Sequence, residues 1–157
     1  AVDLDAEPFR RLMETNVMGT VYGLTNLLPI MRRRGSGHIA VVSSLAGYRG
    51  LPTSAAYGAS KAALINMCEA LRPELDAMGI KLQIITPGFV ETPLTDQNDF
   101  EMPFLVTVDE ATDQIMRGLA SDRFEVSFPR SFSLIMKVLR ILPDPLFFAM
   151  TRRMIKP

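Results

Sequence analysis

The apolar positions between Asp5 and Gly35 recur at intervals of three and four: Phe9, Leu12, Met13, Val17, Val21, Leu24, Leu27 and Leu28. That period predicts one long helix. Asp5 stands at the N-cap position, and Pro8 falls in the first turn, where a missing N–H costs little. Arg32, Arg33 and Arg34 meet the negative end of the helix dipole, and Gly35 ends the helix. The pattern then changes. HIAVVSS, residues 38–44, is a short β-branched run suited to a buried parallel strand. Glycines and Pro52 make the next stretch a loop. A second helix is predicted from Ser54 to Met78, closed by Gly79, with a kink at Pro73 because no bond to the Glu69 carbonyl can form.

IKLQIIT, residues 80–86, reads as a second strand closed by Pro87-Gly88. Residues 89–107 hold Pro93 and Pro103 and read as a loop with a short helical piece. A third helix is predicted over 108–120 and a third strand over 124–129. Alternating helices and strands imply an α/β fold, a parallel sheet with helical crossovers. Ligands in such sheets bind beyond the carboxyl ends of the strands, which here carry SSLAG and TPGFVETP. Two units are expected: the α/β part over residues 1–129 and an apolar, basic C-terminal arm over 130–157, broken at LPDPL.

Composition narrows the choices. The 157 residues are enough for one domain. With 17 basic and 17 acidic residues, global charge gives no case for a nucleic-acid partner. The single cysteine, Cys68, permits no intramolecular disulfide and fits a reducing cytoplasm. Ala1, Asp3, Asp5 and Glu7 are unlike a cleavable signal, and no apolar run approaches the ~20 residues that span a bilayer.

Candidate chemistry centres on SAAYGASKAA, residues 54–63, where Tyr57 and Lys61 stand one helical turn apart among small residues. Positions i and i+4 share a helix face. A cation there favours the phenolate and makes a phenol, ordinarily of pKa about 10, a workable acid or base. The alternative is a half-buried tyrosine and a surface lysine on an ordinary amphipathic helix. Ser44, at the ligand end of the first strand, could hold a substrate oxygen, or it could satisfy backbone groups, as Ser43 could. Asn16, within the first helix, is either a site residue or a polar side chain turned to solvent.

Taken together, NVMG with Asn16, HIAVVSSLAG with Ser44, YGASK with Tyr57 and Lys61, and TPGFVET with Pro87, Gly88 and Thr92 resemble the short-chain dehydrogenase/reductase family. Order and spacing match over roughly residues 5 to 95. The resemblance implies that residues 1–129 are the catalytic part of a Rossmann-like fold, and that the protein is an NAD- or NADP-dependent oxidoreductase that interconverts an alcohol and a carbonyl. The catalytic residues it implies are Asn16, Ser44, Tyr57 and Lys61. Tyr57 would exchange a proton with the substrate oxygen. Lys61 would lower the tyrosine pKa and bind the nicotinamide ribose. Ser44 would orient the substrate, and Asn16 would support a water-linked relay to the lysine. The cofactor-binding residues it implies are Tyr57, Lys61, Pro87, Gly88, Val90 and Thr92, with the Pro-Gly turn flanking the nicotinamide and Thr92 touching its carboxamide. In the family, the equivalents of the two long helices pack against a second copy. A homo-oligomer is therefore expected, with Val17, Val21, Leu24 and Leu28 of the first helix and Leu64, Ile65, Met67, Cys68 and Leu71 of the second at a two-fold contact.

The departure from the family lies upstream. No strand, glycine-rich turn and helix precede Asn16, so the pyrophosphate-binding segment is expected to be absent from this chain. A rival expectation follows: a catalytically silent piece that serves as an interaction or structural domain. Leu51, Phe89, Leu94, Phe100, Phe104 and Leu105 could line the substrate side and suggest a lipophilic small-molecule substrate. His38 is expected to be structural or superficial, Cys68 to be a packed side chain, and Asp96, Asp99 and Glu101 to be solvated rather than metal ligands. The arm, apolar and basic, is read as a cover for a pocket or subunit contact in preference to a membrane-surface helix.

Overall fold

The computed structural model describes residues 4–93, 95 and 102–155. The first helical rod is continuous from Ala6 to Arg34 but not uniform: α1 (Ala6–Met13) and α2 (Gly19–Arg34) are joined by a π-helical turn, Glu14–Met18. Asp5 caps it by accepting from the Glu7 N–H at 3.0 Å. Gly35, at φ 68°, takes the left-handed conformation that ends a helix cheaply only at glycine.

Three parallel strands follow, β1 (Gly37–Val42), β2 (Ile80–Pro87) and β3 (Glu125–Phe128), in that spatial order. Register sets Val42 beside Ile85 and Ile85 beside Val126. Between β1 and β2 runs α3 (Ala55–Ala77), which passes through Pro73 without ending, and between β2 and β3 runs α4 (Val108–Leu119). Thr107 and Glu110 form a reciprocal capping box at the start of α4. α5 (Arg130–Ile141) and α6 (Asp144–Thr151) follow β3, and a 3-10 turn, Arg152–Met154, follows α6.

Alternation along β2 sends successive side chains to opposite faces. On one face Leu82 and Ile84 join Ile39, Val41, Leu24 of α2, Leu64 and Leu75 of α3 and Met136 of α5. On the other, Ile85 joins Ala111 of α4, Val126 and Phe128 in a smaller cluster. The central strand also buries Gln83 completely. Its amide donates to the Gly118, Ser121 and Arg123 carbonyls, and its oxygen meets His38 Nε2 at 2.7 Å. His38 is thus a partner of Gln83, satisfying a polar group that an apolar strand would otherwise strand.

Several expectations need correction. β1 stops at Val42: Ser43 still donates its N–H to the Ile85 carbonyl at 2.8 Å, but Ser44 already caps a 3-10 turn, Leu45–Gly47. Leu24, Leu64, Ile65 and Cys68, expected at a contact between copies, are buried in the chain's own core because they face the sheet. The apolar residues that α2 does expose are Tyr22, Leu27 and Ile30. In the segment after β2, Val90 bridges Val106 in parallel fashion. Leu94, Asp96, Asp99, Phe100 and Glu101 lie outside the described residues. Among the described residues no group of three or more His, Cys, Asp or Glu could hold a metal, and no helix is long and apolar enough to cross a membrane.

Cys68 carries a prediction. Burial, aided by Glu69, pushes its thiol up from 9.0 to about 11. A raised folded pKa stabilises fully below pH 9.0, and that contribution is lost as pH climbs through about 11. The loss is about 2 to 3 kcal/mol at most. Urea unfolding of wild type and Cys68→Ala between those limits should show a steeper alkaline decline in the wild type. Parallel curves would show that the thiol does not titrate in this window.

Candidate active site

The carboxyl end of β1 and the first turns of α3 are tied together by short side chains. Ser43 Oγ donates to the Lys61 carbonyl at 2.8 Å. Ser44 caps the 3-10 turn by accepting from Ala46 N at 3.2 Å, and its hydroxyl lies 3.4 Å from the Pro87 carbonyl at the end of β2. Gly47, in that turn, lies directly against α3: a Cβ there would sit 2.8 Å from the Lys61 carbonyl carbon and 2.9 Å from Ala62 N. No side chain larger than hydrogen fits between them.

Lys61 Nζ donates to the Val42 carbonyl at 3.2 Å and stands 5.6 Å from the centre of the Tyr57 ring. Burial lowers its pKa from the ordinary lysine value. Tyr57 is 38% exposed, so its ring is open to an incoming molecule. Asn16 sits in the π-helical turn, and its amide donates to Ser60 Oγ at 3.0 Å; Ser60 in turn donates to the Tyr57 carbonyl at 2.8 Å. The widened turn is what carries Asn16 to α3, and Thr20 satisfies the Asn16 carbonyl at 2.8 Å. π-turns inserted in α-helices occur frequently at functional sites.

Tyr57 and Lys61 are therefore brought together. Asn16 is joined to this pair through Ser60, the residue before Lys61, and not to Lys61 directly. Ser44 hydrogen-bonds the Pro87 carbonyl and the Ala46 N–H, and it forms no hydrogen bond to Tyr57. Ser60, fully buried, was not singled out by the sequence pattern, because a serine in a run of small helical residues carries no distinguishing signal.

On the β2 side, Gly88 N donates to the Phe128 carbonyl at 2.7 Å. A Cβ on Gly88 would come within 2.8 Å of the Phe132 ring. That ring stacks at 5.7 Å on Phe89 and at 5.7 Å on Phe104. α5 thereby contributes an aromatic wall beside the Pro-Gly turn, one member of which, Phe132, the sequence pattern had assigned only to the arm. Val90 and Thr92 lie in a small loop knotted by Thr95. Thr95 Oγ1 donates to the Val90 carbonyl at 2.7 Å and accepts from Thr92 N at 2.9 Å.

Behind the Ser44 turn lies a second polar cluster. The Tyr48 hydroxyl donates to Glu125, which also accepts from Thr86 at 3.1 Å and pairs with Lys137 of α5 at 2.8 Å. Burial and the Glu125 hydrogen bond push Tyr48 up to about 12. Burial alone would raise Glu125, but Lys137, Tyr48 and Thr86 outweigh it and hold the carboxyl below its ordinary value. This cluster joins β2, β3 and α5 to the segment that follows Ser44.

Known proteins resemble this chain in sequence, and a solved structure resembles it in fold. The family model described as short chain dehydrogenase matches residues 1–102. An uncharacterized oxidoreductase of Myxococcus xanthus is 43% identical over 148 residues, covering 94% of this chain and 58% of that protein. The 17-beta-hydroxysteroid dehydrogenase 13 of Rattus norvegicus is 30% identical over 149 residues, covering 93% of this chain and 50% of that one. Among solved structures, a short chain dehydrogenase from Burkholderia cenocepacia in complex with NADP superposes with a TM-score of 0.81 at 26% identity, covering 94% of this chain and 62% of that one. The chain thus spans between half and two thirds of the length of these relatives. With a family model matched across most of its length and the fold reproduced, the chain belongs to the short chain dehydrogenase family.

Proposed function

We propose that this chain is the catalytic part of an NAD- or NADP-dependent oxidoreductase that interconverts an alcohol and a carbonyl on a lipophilic small molecule. One observation carries the reading: Lys61 Nζ is held by the last carbonyl of β1 at 3.2 Å, within 5.6 Å of the centre of a Tyr57 ring that remains open to a ligand. The donor set fits the nicotinamide half of such a cofactor. An ammonium has three N–H bonds. Val42 takes one, and the others can reach ribose hydroxyls. The NADP in the Burkholderia cenocepacia structure supports this choice of cofactor class.

When bound, the nicotinamide supplies or takes up hydride at the carbonyl carbon. The chain's own residues do the rest. Tyr57 gives a proton to the substrate oxygen in reduction and removes it in oxidation. Ser44, fixed by the turn it caps, hydrogen-bonds that oxygen and fixes its distance from Tyr57. Lys61 stabilises negative charge on the phenol oxygen and holds the ribose. Asn16 keeps the Tyr57–Lys61 turn of α3 in place through Ser60 and is the candidate for a water-linked relay to Lys61. Pro87, Gly88, Val90 and Thr92 form the wall against which the nicotinamide would lie. The Phe89–Phe132–Phe104 stack supports a substrate with an apolar body.

The single free cysteine supports a cytoplasmic setting, and Tyr22, Leu27 and Ile30 on α2 offer apolar surface for a second copy. The second reading is an interaction or structural domain without turnover; Val42, 54% exposed beside a groove lined by Thr20, Leu27 and Ala40, is the apolar surface it would use.

The test is cofactor-dependent turnover of apolar aldehydes and ketones by the full-length protein, with Lys61→Ala as the diagnostic variant. Lys61→Ala should raise the cofactor KM and lower kcat together, because one ammonium serves both. No turnover with any carbonyl would favour the second reading. Unchanged KM and kcat in Lys61→Ala would remove Lys61 from the site.

A further inference from the structure

The charges of this chain balance overall but not locally. Residues 130–157 carry Arg130, Lys137, Arg140, Arg152, Arg153 and Lys156 against Asp144 alone, a net +5, which leaves a net −5 on residues 1–129. Lys137 pairs with Glu125 and Arg140 with Glu69. Arg130, Arg152 and Arg153 are exposed and form no ion pair among the described residues.

The basic end is also apolar on its outside. α5 has two faces. Met136 and Ser133 turn inward, 2% and 4% exposed, with Phe132 and Leu139 packed beside them. Leu134, Ile135, Val138 and Ile141 turn outward and are 44% to 80% exposed. These four follow a helical period on one side of the helix. α6 repeats the arrangement, with Phe147 buried and Leu146 and Phe148 exposed. Arg49 fixes the corner between the two helices. Its guanidinium donates to the Leu139 and Leu142 carbonyls, pairs with Asp144 and lies 3.9 Å from the centre of the Phe147 ring. The outward apolar residues are therefore held on an anchored support, not on a fraying end.

We propose that α5 and α6 dock this protein on the surface of an anionic lipid bilayer. The outward apolar side chains would sit at the boundary between headgroups and acyl chains, and Arg130, Arg152 and Arg153 would contact lipid phosphates. The acidic remainder of the chain would then face away from the membrane. Charge selects this occupant over a second copy. A two-fold contact sets the same surface of each copy against itself, and here that would oppose the unpaired Arg130, Arg152 and Arg153 with their own copies. None of the described helices can span the bilayer, so the attachment is to one face. No catalytic residue takes part, so failure of this proposal leaves the active-site reading untouched.

Co-sedimentation with vesicles tests it. At about 1 mM lipid, the full chain should partition onto phosphatidylcholine vesicles containing a quarter phosphatidylglycerol roughly tenfold more than onto phosphatidylcholine alone, and added salt should reduce that difference. Arg130→Gln/Arg152→Gln/Arg153→Gln should remove the preference for anionic vesicles. Val138→Asp/Ile141→Asp, at exposed positions where the fold has no stake, should lower binding to both, with an unchanged circular dichroism spectrum. Equal partition onto the two vesicle types would overturn the proposal. So would wild-type protein left in the supernatant, or outer-face variants that change the sedimenting mass of free protein and leave vesicle binding intact; that last result would assign the surface to a second copy.

Discussion

Tyr57→Phe in the full-length protein should keep its cofactor affinity and lose turnover by about 10²- to 10⁴-fold, the range that a positioned proton donor contributes. The substitution removes one oxygen and leaves the ring. Its neighbours stay in place, because Lys61 is held by the Val42 carbonyl and α3 is held by Ser60 through the Tyr57 main chain, not its side chain. No described residue hydrogen-bonds the Tyr57 hydroxyl, so no buried partner is orphaned and stability should change by less than about 0.5 kcal/mol. The expected result is a fall in kcat with a nearly constant cofactor dissociation constant, measured by fluorescence titration and steady-state kinetics on the same preparation. Near-normal kcat in Tyr57→Phe would sink the catalytic assignment.

Gly47→Ala should be the more damaging change to the fold, although it adds only a methyl group. The new Cβ would lie 2.8 Å from the Lys61 carbonyl carbon and 2.9 Å from both Ala62 N and Ile65 Cδ1. Two of those three atoms belong to the helix backbone, which cannot rotate out of the way. Either the Leu45–Gly47 turn or α3 must move. Overpacking of this kind costs about 1 to 3 kcal/mol, and a backbone obstacle sets it toward the upper end. A movement of α3 also carries Lys61 away from the Val42 carbonyl, so turnover should fall with stability. Gly23→Ala is the matched control, since nothing lies within 4 Å of its added Cβ and α2 favours alanine over glycine. Urea midpoints should drop for Gly47→Ala and hold or rise for Gly23→Ala. Equal midpoints for Gly47→Ala and wild type would mean that the turn accommodates a side chain.

Much of the framework is legible in local signals. Asp5 and Gly35 bound the first rod, Gly79 follows α3, and β-branched runs mark β1 and β2 because each signal is a conformational preference of the residue itself. The site divides along the same line. Tyr57 and Lys61 can be paired from spacing, because a helix fixes the geometry between i and i+4. What lies hidden depends on contacts distant in sequence. Ser60 meets Asn16 across 44 positions, and Tyr48 meets Glu125 across 77. Gln83 interrupts an apolar strand for a reason found only in the carbonyls of residues 118, 121 and 123. The inward turn of Leu24, Leu64, Ile65 and Cys68 illustrates a further limit. An apolar stripe announces that a helix face will be covered, but not by what.

The π-helical turn at Glu14–Met18 has a consequence for the phase of the rod it interrupts. A π-turn holds one residue more than an α-turn, so it acts as an insertion of one position in an otherwise regular count. Each residue of an α-helix advances about 100°. In an unbroken helix, Met13 and Leu24, eleven positions apart, would lie nearly in line. With the extra residue, the side chains of α1 are set back by roughly a quarter turn relative to those of α2. That offset accords with Leu24 reaching the core while α1 buries none of its residues. Asn16 occupies the position where the two phases meet, so losing or gaining one residue in this turn would rotate the face that α1 presents to α3 by about that same quarter turn.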